Sequence, residues 1–399
     1  MNQQEQIQNK IREIAEQTDA NTQDFGLLSG KMGITLWYFY LSRYVDESYY
    51  EIAEKSLLEI LDNLKNTDVV FSHCRGYSGV CWALMHLKEY DFIDLDVEIL
   101  DNMDDYLLVG LAQALKEQNW DFLHGASGII LYFLKRQQQS SNNEYLDKYL
   151  APFVELMNDM AIPEKDDSMK WESILYKTDK ETKTGYNICL SHGASSLVVV
   201  FTKIFLLYNK SNDSLRNMIE KTVQYIINQR IDEKTYGSCF PSYSIESSQP
   251  LSISRMAWCY GDLGIAMALW QAGVTLDKQE WRQIAVETMK HAATRKIDYS
   301  TADAGVCHGT AGIAHIFNRM FQYTQIEEFK TASDYWIDET LKMAKFDDGI
   351  AGYKTYYANK QEKYFNNYNL LEGVSGIGLC LLSALYEDAS AWDECLLLS

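Results

Sequence analysis

Apolar positions along this chain fall into two helical patterns. In one, an apolar stripe faces a polar surface. The stretch YEIAEKSLLEILDNL (50–64) places Ala53, Leu57, Leu61 and Leu64 on one face, and 213–230 and 278–293 read the same way. In the other, apolar residues run nearly all round, as in GIILYFL from Gly128, GIAMALW from Gly264 and GIAHIF from Gly312. The first pattern predicts a helix lying on a surface, the second a helix buried on every side. The two kinds alternate, which predicts repeated pairs of an outer and an inner helix.

The inner runs share an opening. Gly30 and Gly33, Gly76 and Gly79, Gly125 and Gly128, Gly261 and Gly264, Gly309 and Gly312, and Gly373 and Gly376 are each followed by Ile or Val in an apolar run; Gly193 has Ser196 in the second place, followed by Leu197. The seven copies stand 46, 49, 68, 68, 48 and 64 residues apart, the spacing of a repeat architecture. Glycines at the start of buried helices let backbones approach closely, and four prolines in 399 residues suit a helical fold. The expected fold class is all-α, with seven helix pairs in an open solenoid or a closed ring, as one domain over 1–399. The surplus in the three long intervals falls at about 161–189, 236–258 and 348–372, in helix-poor text just before the glycines of repeats four, five and seven. Insertions on one side of a repeat build one face, here the expected binding face.

Composition narrows the partners. Acidic residues exceed basic ones by 56 − 36 = 20, which argues against nucleic acid and anionic membranes and favours cationic peptides. The polar opening MNQQEQIQNKIREIAEQ lacks the apolar core of a signal peptide, and no apolar run reaches spanning length. Eight cysteines in a chain this long do not make a secreted disulfide scaffold. These features predict a cytoplasmic protein with reduced cysteines and no membrane insertion.

Two of those cysteines share a register. Cys259 and Cys307 each stand two residues before the first glycine of neighbouring repeats, and His308 follows Cys307. Two thiols and one imidazole suit Zn2+ and leave a fourth position open, as in catalytic sites; the competing reading is buried packing cysteines. Cys74 has the same register but lies three repeats away, and is read as a decoy. Cys81, Cys189, Cys239, Cys380 and Cys395 are read as packing. His192 directly precedes Gly193 beside repeat five, where it can serve as general acid or base; His124 has the same register in repeat three. Asp121, four residues before Gly125, is either a helix cap or part of the site. Arg255, four before Cys259, either stabilises negative charge or forms an ordinary ion pair. Trp258 and Tyr260 either line a pocket or pack. His73, His86, His291 and His315 carry no comparable constellation.

With WCYG at 258–261, CHG at 307–309, SHGAS at 191–195 and WDFLHGASG at 120–128, the chain resembles the lanthionine synthetase C-like family, the class I lanthipeptide cyclases. The likeness runs through all seven glycine motifs. It implies a seven-fold α/α toroid with a central zinc on Cys259, Cys307 and His308. It implies proton transfer by His192, support from Asp121, and an arginine at Arg255. The implied reaction joins a peptide cysteine to a dehydroalanine or dehydrobutyrine, closing a thioether ring in a dehydrated precursor peptide with a leader. The dehydratase and transporter of such a pathway are the implied partners. Ser196 and His124 depart from the family pattern. A non-cyclising, thiol- or glutathione-binding member of the fold is the alternative function. A scaffold with structural zinc, and zinc-dependent thiol alkylation on another α/α barrel, are more distant.

Overall fold

The computed structural model describes residues 2–63, 70–177, 181–296, 301–358 and 360–399. Seven inner helices start one residue after the first glycine of each motif: α2 (Lys31–Tyr44), α4 (Tyr77–Glu89), α6 (Ala126–Gln138), α8 (Ala194–Leu207), α11 (Asp262–Thr275), α13 (Thr310–Thr324) and α15 (Val374–Leu385). Each glycine is the residue that caps its helix. Six outer helices follow their inner partners: α3 (Tyr49–Asn63), α5 (Asp101–Lys116), α7 (Ala151–Asp159), α9 (Asp213–Ile227), α12 (Gln279–Ala293) and α14 (Glu327–Lys342). The seventh outer helix is α1 (Gln3–Gln17), which packs on α15 from the other end of the chain. A short α10 (Glu233–Tyr236) leads into the second insertion. On α3, Ala53 and Leu57 are buried and Leu61 is half-buried, as the stripe requires, while Leu64 lies outside the described residues.

Neighbouring inner helices touch all the way round, and α15 meets α2, so the ring is closed. The turns are tied in the same sense. The main-chain N–H two residues before the glycine donates to the carbonyl at the same position of the next repeat. The bonds run from Leu28 to Cys74, Cys74 to Leu123, Ser191 to Cys259, Cys259 to Cys307, Cys307 to Leu371 and Leu371 back to Leu28. The second glycine of each motif is there for contact. At Gly312 a Cβ would lie 1.9 Å from the Val306 carbonyl oxygen, and at Gly376 1.8 Å from that of Leu370.

Five repeats share a further element, Asp24, Asn119, Asn187, Asp303 and Asn367, each six residues before the first glycine. Their side chains accept the N–H two residues on, which folds the turn leading into the helix. Residues 387–399 run into the middle of the barrel. The Cys395 carbonyl meets His73 Nε2 at 2.9 Å, and buried Asp393 binds His315 at 2.8 Å and Arg319 at 2.9 Å.

The first insertion carries β1 (Ile162–Pro163) paired with β2 (Met169–Lys170), and β3 (Ser173–Lys177) paired with β4 (Thr182–Gly185). Its residues 178–180 lie outside the described residues. The third insertion carries β5 (Thr355–Tyr356) paired with β6 (Tyr364–Phe365). All three insertions reach the glycine-turn face. Ile174 and Leu175 of the first border a cavity there, Tyr243 of the second meets the ring of Tyr260, and Tyr357 of the third donates to Glu372.

Candidate metal centre and acid–base pair

Because the repeats are equivalent, one register collects chemistry. The residues one before the first glycine are Ser29, Arg75, His124, His192, Tyr260, His308 and Glu372, and none of them is fully buried. The residues two before it lie beneath, buried at every repeat except for the partly exposed Cys307. Seven helix N-termini open on this face, and their dipoles favour negative charge there.

In repeats five and six the ligand atoms of Cys259, Cys307 and His308 lie within 4.8 Å of one another. The Cys307 thiol donates to the Cys259 sulfur. That bond draws Cys259 well below the ordinary thiol range against the cost of burial, with His308 and Arg255 acting the same way. The same bond and burial push Cys307 well above it. Burial opposes charge on His308, but the Cys259 sulfur and the Asp303 carboxylate hold it above its usual value. Two soft sulfurs and an imidazole converging from two adjacent turns make a donor set suited to a single borderline-soft cation.

Arg255 is exposed and forms no ion pair among the described residues, and its charge acts on both cysteines. It stands six residues before Gly261, where five other repeats hold their turn with Asp or Asn. Repeat five instead enters its helix through a positive φ of 88° at Gly261, which favours glycine. The turn no longer needs a side-chain acceptor at that position, so the arginine is free of it.

Next door in repeat four, His192 Nδ1 lies 2.5 Å from Asp121 Oδ2. Burial works against a charged His192, but the Asp121 charge and hydrogen bond outweigh it and raise its pKa. Burial likewise works against the Asp121 anion, yet His192 and His124 hold its pKa below the usual range. Asp121 does not cap α6, whose N-cap Gly125 has no side-chain cap bond; its Oδ1 instead accepts the main-chain N–H of His124 at 2.7 Å, in the turn before the helix. The His192 ring stacks 6.1 Å from that of His124 and sits 5.9 Å from that of Tyr260. Asp121, His124, His192 and Tyr260 line a cavity of about 300 Å³, whose outer wall is Ser173, Ile174 and Leu175 of β3.

Of the two readings open for Trp258, the structure gives packing. Trp258 is fully buried and donates its indole N–H to the Leu396 carbonyl at 2.8 Å, away from the cavity that Tyr260 lines. Cys74 is buried, its thiol pushed up to about 12 by burial, and it does not join the three-donor group.

The family model for lanthionine synthetase C-like proteins matches residues 21–397. The chain belongs to the lanthionine synthetase C-like family. Nisin biosynthesis protein NisC of Lactococcus lactis subsp. lactis is 21% identical to it, over 98% of this chain and 95% of that protein. A solved nisin cyclase matches 98% of this chain and 96% of its own at 18% identity, with a TM-score of 0.71. The Lin0763 protein from Listeria innocua matches 97% and 98% at 12% identity, with a TM-score of 0.50. At these identities the structural likeness shows the shared helical toroid.

This lanthionine synthetase C-like chain also assembles groups that the sequence reading passed over. Glu372 takes the seventh place in the register of His192 and His308. Burial pushes its carboxyl up, moderated by the Tyr357 hydroxyl and by His308. Its place directly before Gly373 was the available signal. Cys239 and His291 were read as packing and as unattached, yet their ligand atoms and those of Asp262 also lie within 4.8 Å of one another. There the carboxylate is already engaged. It accepts the N–H groups of Cys239 and Phe240 at 3.1 and 2.9 Å, and Arg295 lies 3.8 Å away. This group ties the second insertion to α11.

Proposed function

We propose that this chain is a zinc-dependent lanthipeptide cyclase. It adds the thiol of a peptide cysteine to a dehydroalanine or dehydrobutyrine of the same precursor peptide. The observation that carries the reading is one face on which three metal donors and a histidine–carboxylate pair stand in adjacent repeats. Cys259, Cys307 and His308 are the residues that would hold the zinc, and three protein donors leave a position for a ligand from outside. Bound zinc supplies a site where a thiol is held as the thiolate, the reactive form.

The chain's own residues do the rest. The new bond joins sulfur to the β-carbon, and the double-bond electron pair moves toward the α-carbon and its carbonyl. His192, kept protonated by Asp121, gives its proton to the α-carbon; Nδ1 is bound to the carboxylate, so the proton leaves from Nε2. Arg255, exposed and without an ion pair among the described residues, offsets the negative charge that builds on that carbonyl. Tyr260 and the β3 wall border the cavity that takes the peptide. In this reading 1–399 works as one domain, in the cytoplasm, on a leader-bearing peptide delivered by a dehydratase and passed to a transporter.

The test is cyclisation of a dehydrated, cysteine-containing precursor peptide by the zinc-loaded protein. Ring closure leaves the mass unchanged and removes thiols from a later alkylation step. Loss of alkylatable thiols in step with time supports the reading; full alkylation after long incubation, with zinc present, overturns it.

A further inference from the structure

The acid–base pair leaves one proton without a destination. Asp121, 2.5 Å from Nδ1, raises the His192 pKa and favours its charged form, which suits it to give a proton rather than to take one. The incoming thiol must lose a proton before its sulfur can bond to carbon. Asp121 is also committed: Oδ2 faces His192 and Oδ1 holds the His124 N–H. A second acceptor on the same cavity is required.

We propose that His124 is that acceptor, taking the thiol proton through cavity water while His192 supplies the proton that the product needs. This rests on the cyclase reading above. The geometry carries it. His124 and His192 line the same cavity with rings stacked 6.1 Å apart, and one carboxylate positions both, through a side-chain bond to one and a main-chain bond to the other. His124 is the outer of the two, exposed where His192 is half-buried, so it meets water first. Their surroundings push them apart, the pattern that divides an acid from a base. Burial lowers His124, and the charges of His192 and Arg75 add to this against the opposing pull of Asp121.

The protons balance. The S–H bond breaks and its proton goes to His124. The S–C bond forms, and the α-carbon takes a proton from His192. The charged His124 then returns a proton to the neutral His192 across the stacked pair, and the site is reset with no net gain or loss.

Two measurements on the full chain test this. The first is the pH–rate profile of cyclisation by the wild type and by His124→Asn, with circular dichroism as the folding check. The wild type should gain rate as His124 deprotonates, on the acid side of about pH 6.5. His124→Asn should lose that limb, run about 10²–10⁴-fold slower near neutrality, and recover in concentrated imidazole buffer. The second is NMR titration of ring-labelled histidines, which needs no turnover. His124 should titrate below His192, and removing the neighbouring positive charge in His192→Ala should raise the His124 pKa. A His124→Asn protein with wild-type rate and profile, or a His124 titration unmoved by His192→Ala, overturns the proposal. If the wild type closes no rings, the cyclase reading fails on its own, and the NMR coupling still decides whether the two rings act as one proton-transfer unit.

Discussion

Replacing Asp121 by Asn removes one negative charge and leaves the turn standing, because the amide oxygen can still accept the His124 N–H now bound at 2.7 Å. What is lost is the partner 2.5 Å from His192 Nδ1. The two side chains are 24% and 18% exposed, so water screens the pair only in part. A hydrogen bond to a charged group contributes about 1.5–3 kcal/mol, roughly 10–100-fold in the share of His192 that is protonated, so the His192 pKa should fall. Burial, which opposes its charge, then prevails. On the alkaline side of the His192 pKa, the protonated fraction and the cyclisation rate should drop about 10–100-fold. The alkaline limb of the pH–rate profile should move to lower pH.

The stability signature has a defined window. His192 is raised in the folded state, so its contribution is fully present below its unfolded value of about 6.5 and lost as pH rises through the folded one. Asp121 is lowered, so its contribution is present above about 3.9 and lost as pH falls through the folded value. Asp121→Asn should therefore destabilise most between about pH 4 and 6.5. Alkylation-coupled mass spectrometry across pH reads the rate, and urea unfolding reads the stability. A wild-type rate with an unmoved alkaline limb would mean that Asp121 does not set the charge of His192. A slower rate with an unmoved limb would mean that the carboxylate orients the His192 ring without setting its protonation.

Chelation should remove the metal and stop cyclisation while leaving the helical circular dichroism intact, because main-chain bonds and apolar contacts close the ring; gentle chelation that unfolds the chain would contradict this. Gly312→Ala would set a Cβ 1.9 Å from the Val306 carbonyl, next to Cys307, and should cost about 1–3 kcal/mol in urea unfolding and lower zinc retention. Trp258→Phe leaves the Leu396 carbonyl without its indole partner and should lower stability by about 1–3 kcal/mol, with KM for the peptide unchanged; a raised KM would return Trp258 to the substrate pocket.

The repeat was legible because it is written in glycine. A Cβ at the second glycine would strike a carbonyl, so the residue recurs with its register and the inner helices begin where it predicts. The insertions were legible as breaks in helical text, and all three reach the turn face. Closure was not. The helix α1, which completes the seventh pair, is separated from α15 by nearly the whole chain, and no local pattern announces such a contact. The Asn or Asp six residues before the glycine was visible, but its value lies in a backbone bond that spacing alone does not show. At the site, shared register brought Cys259, Cys307 and His308 together. The Asp121–His192 contact joins two different offsets from the glycine, and only the curvature of the ring puts them 2.5 Å apart. Trp258 was ambiguous for a related reason. Side chains near the glycine point either to the open face or into the barrel, and its direction is set by residues 387–399 lying inside.

The metal is the centre of the proposed chemistry. Zinc content per chain should be measured for the wild type, Cys259→Ala, Cys307→Ala, His308→Ala and Cys74→Ala, each checked for folding by circular dichroism. One zinc is expected in the wild type and in Cys74→Ala, whose thiol lies outside the three-donor group, and strong loss in the other three. Full zinc in folded Cys259→Ala and Cys307→Ala, or loss confined to Cys74→Ala, would contradict this.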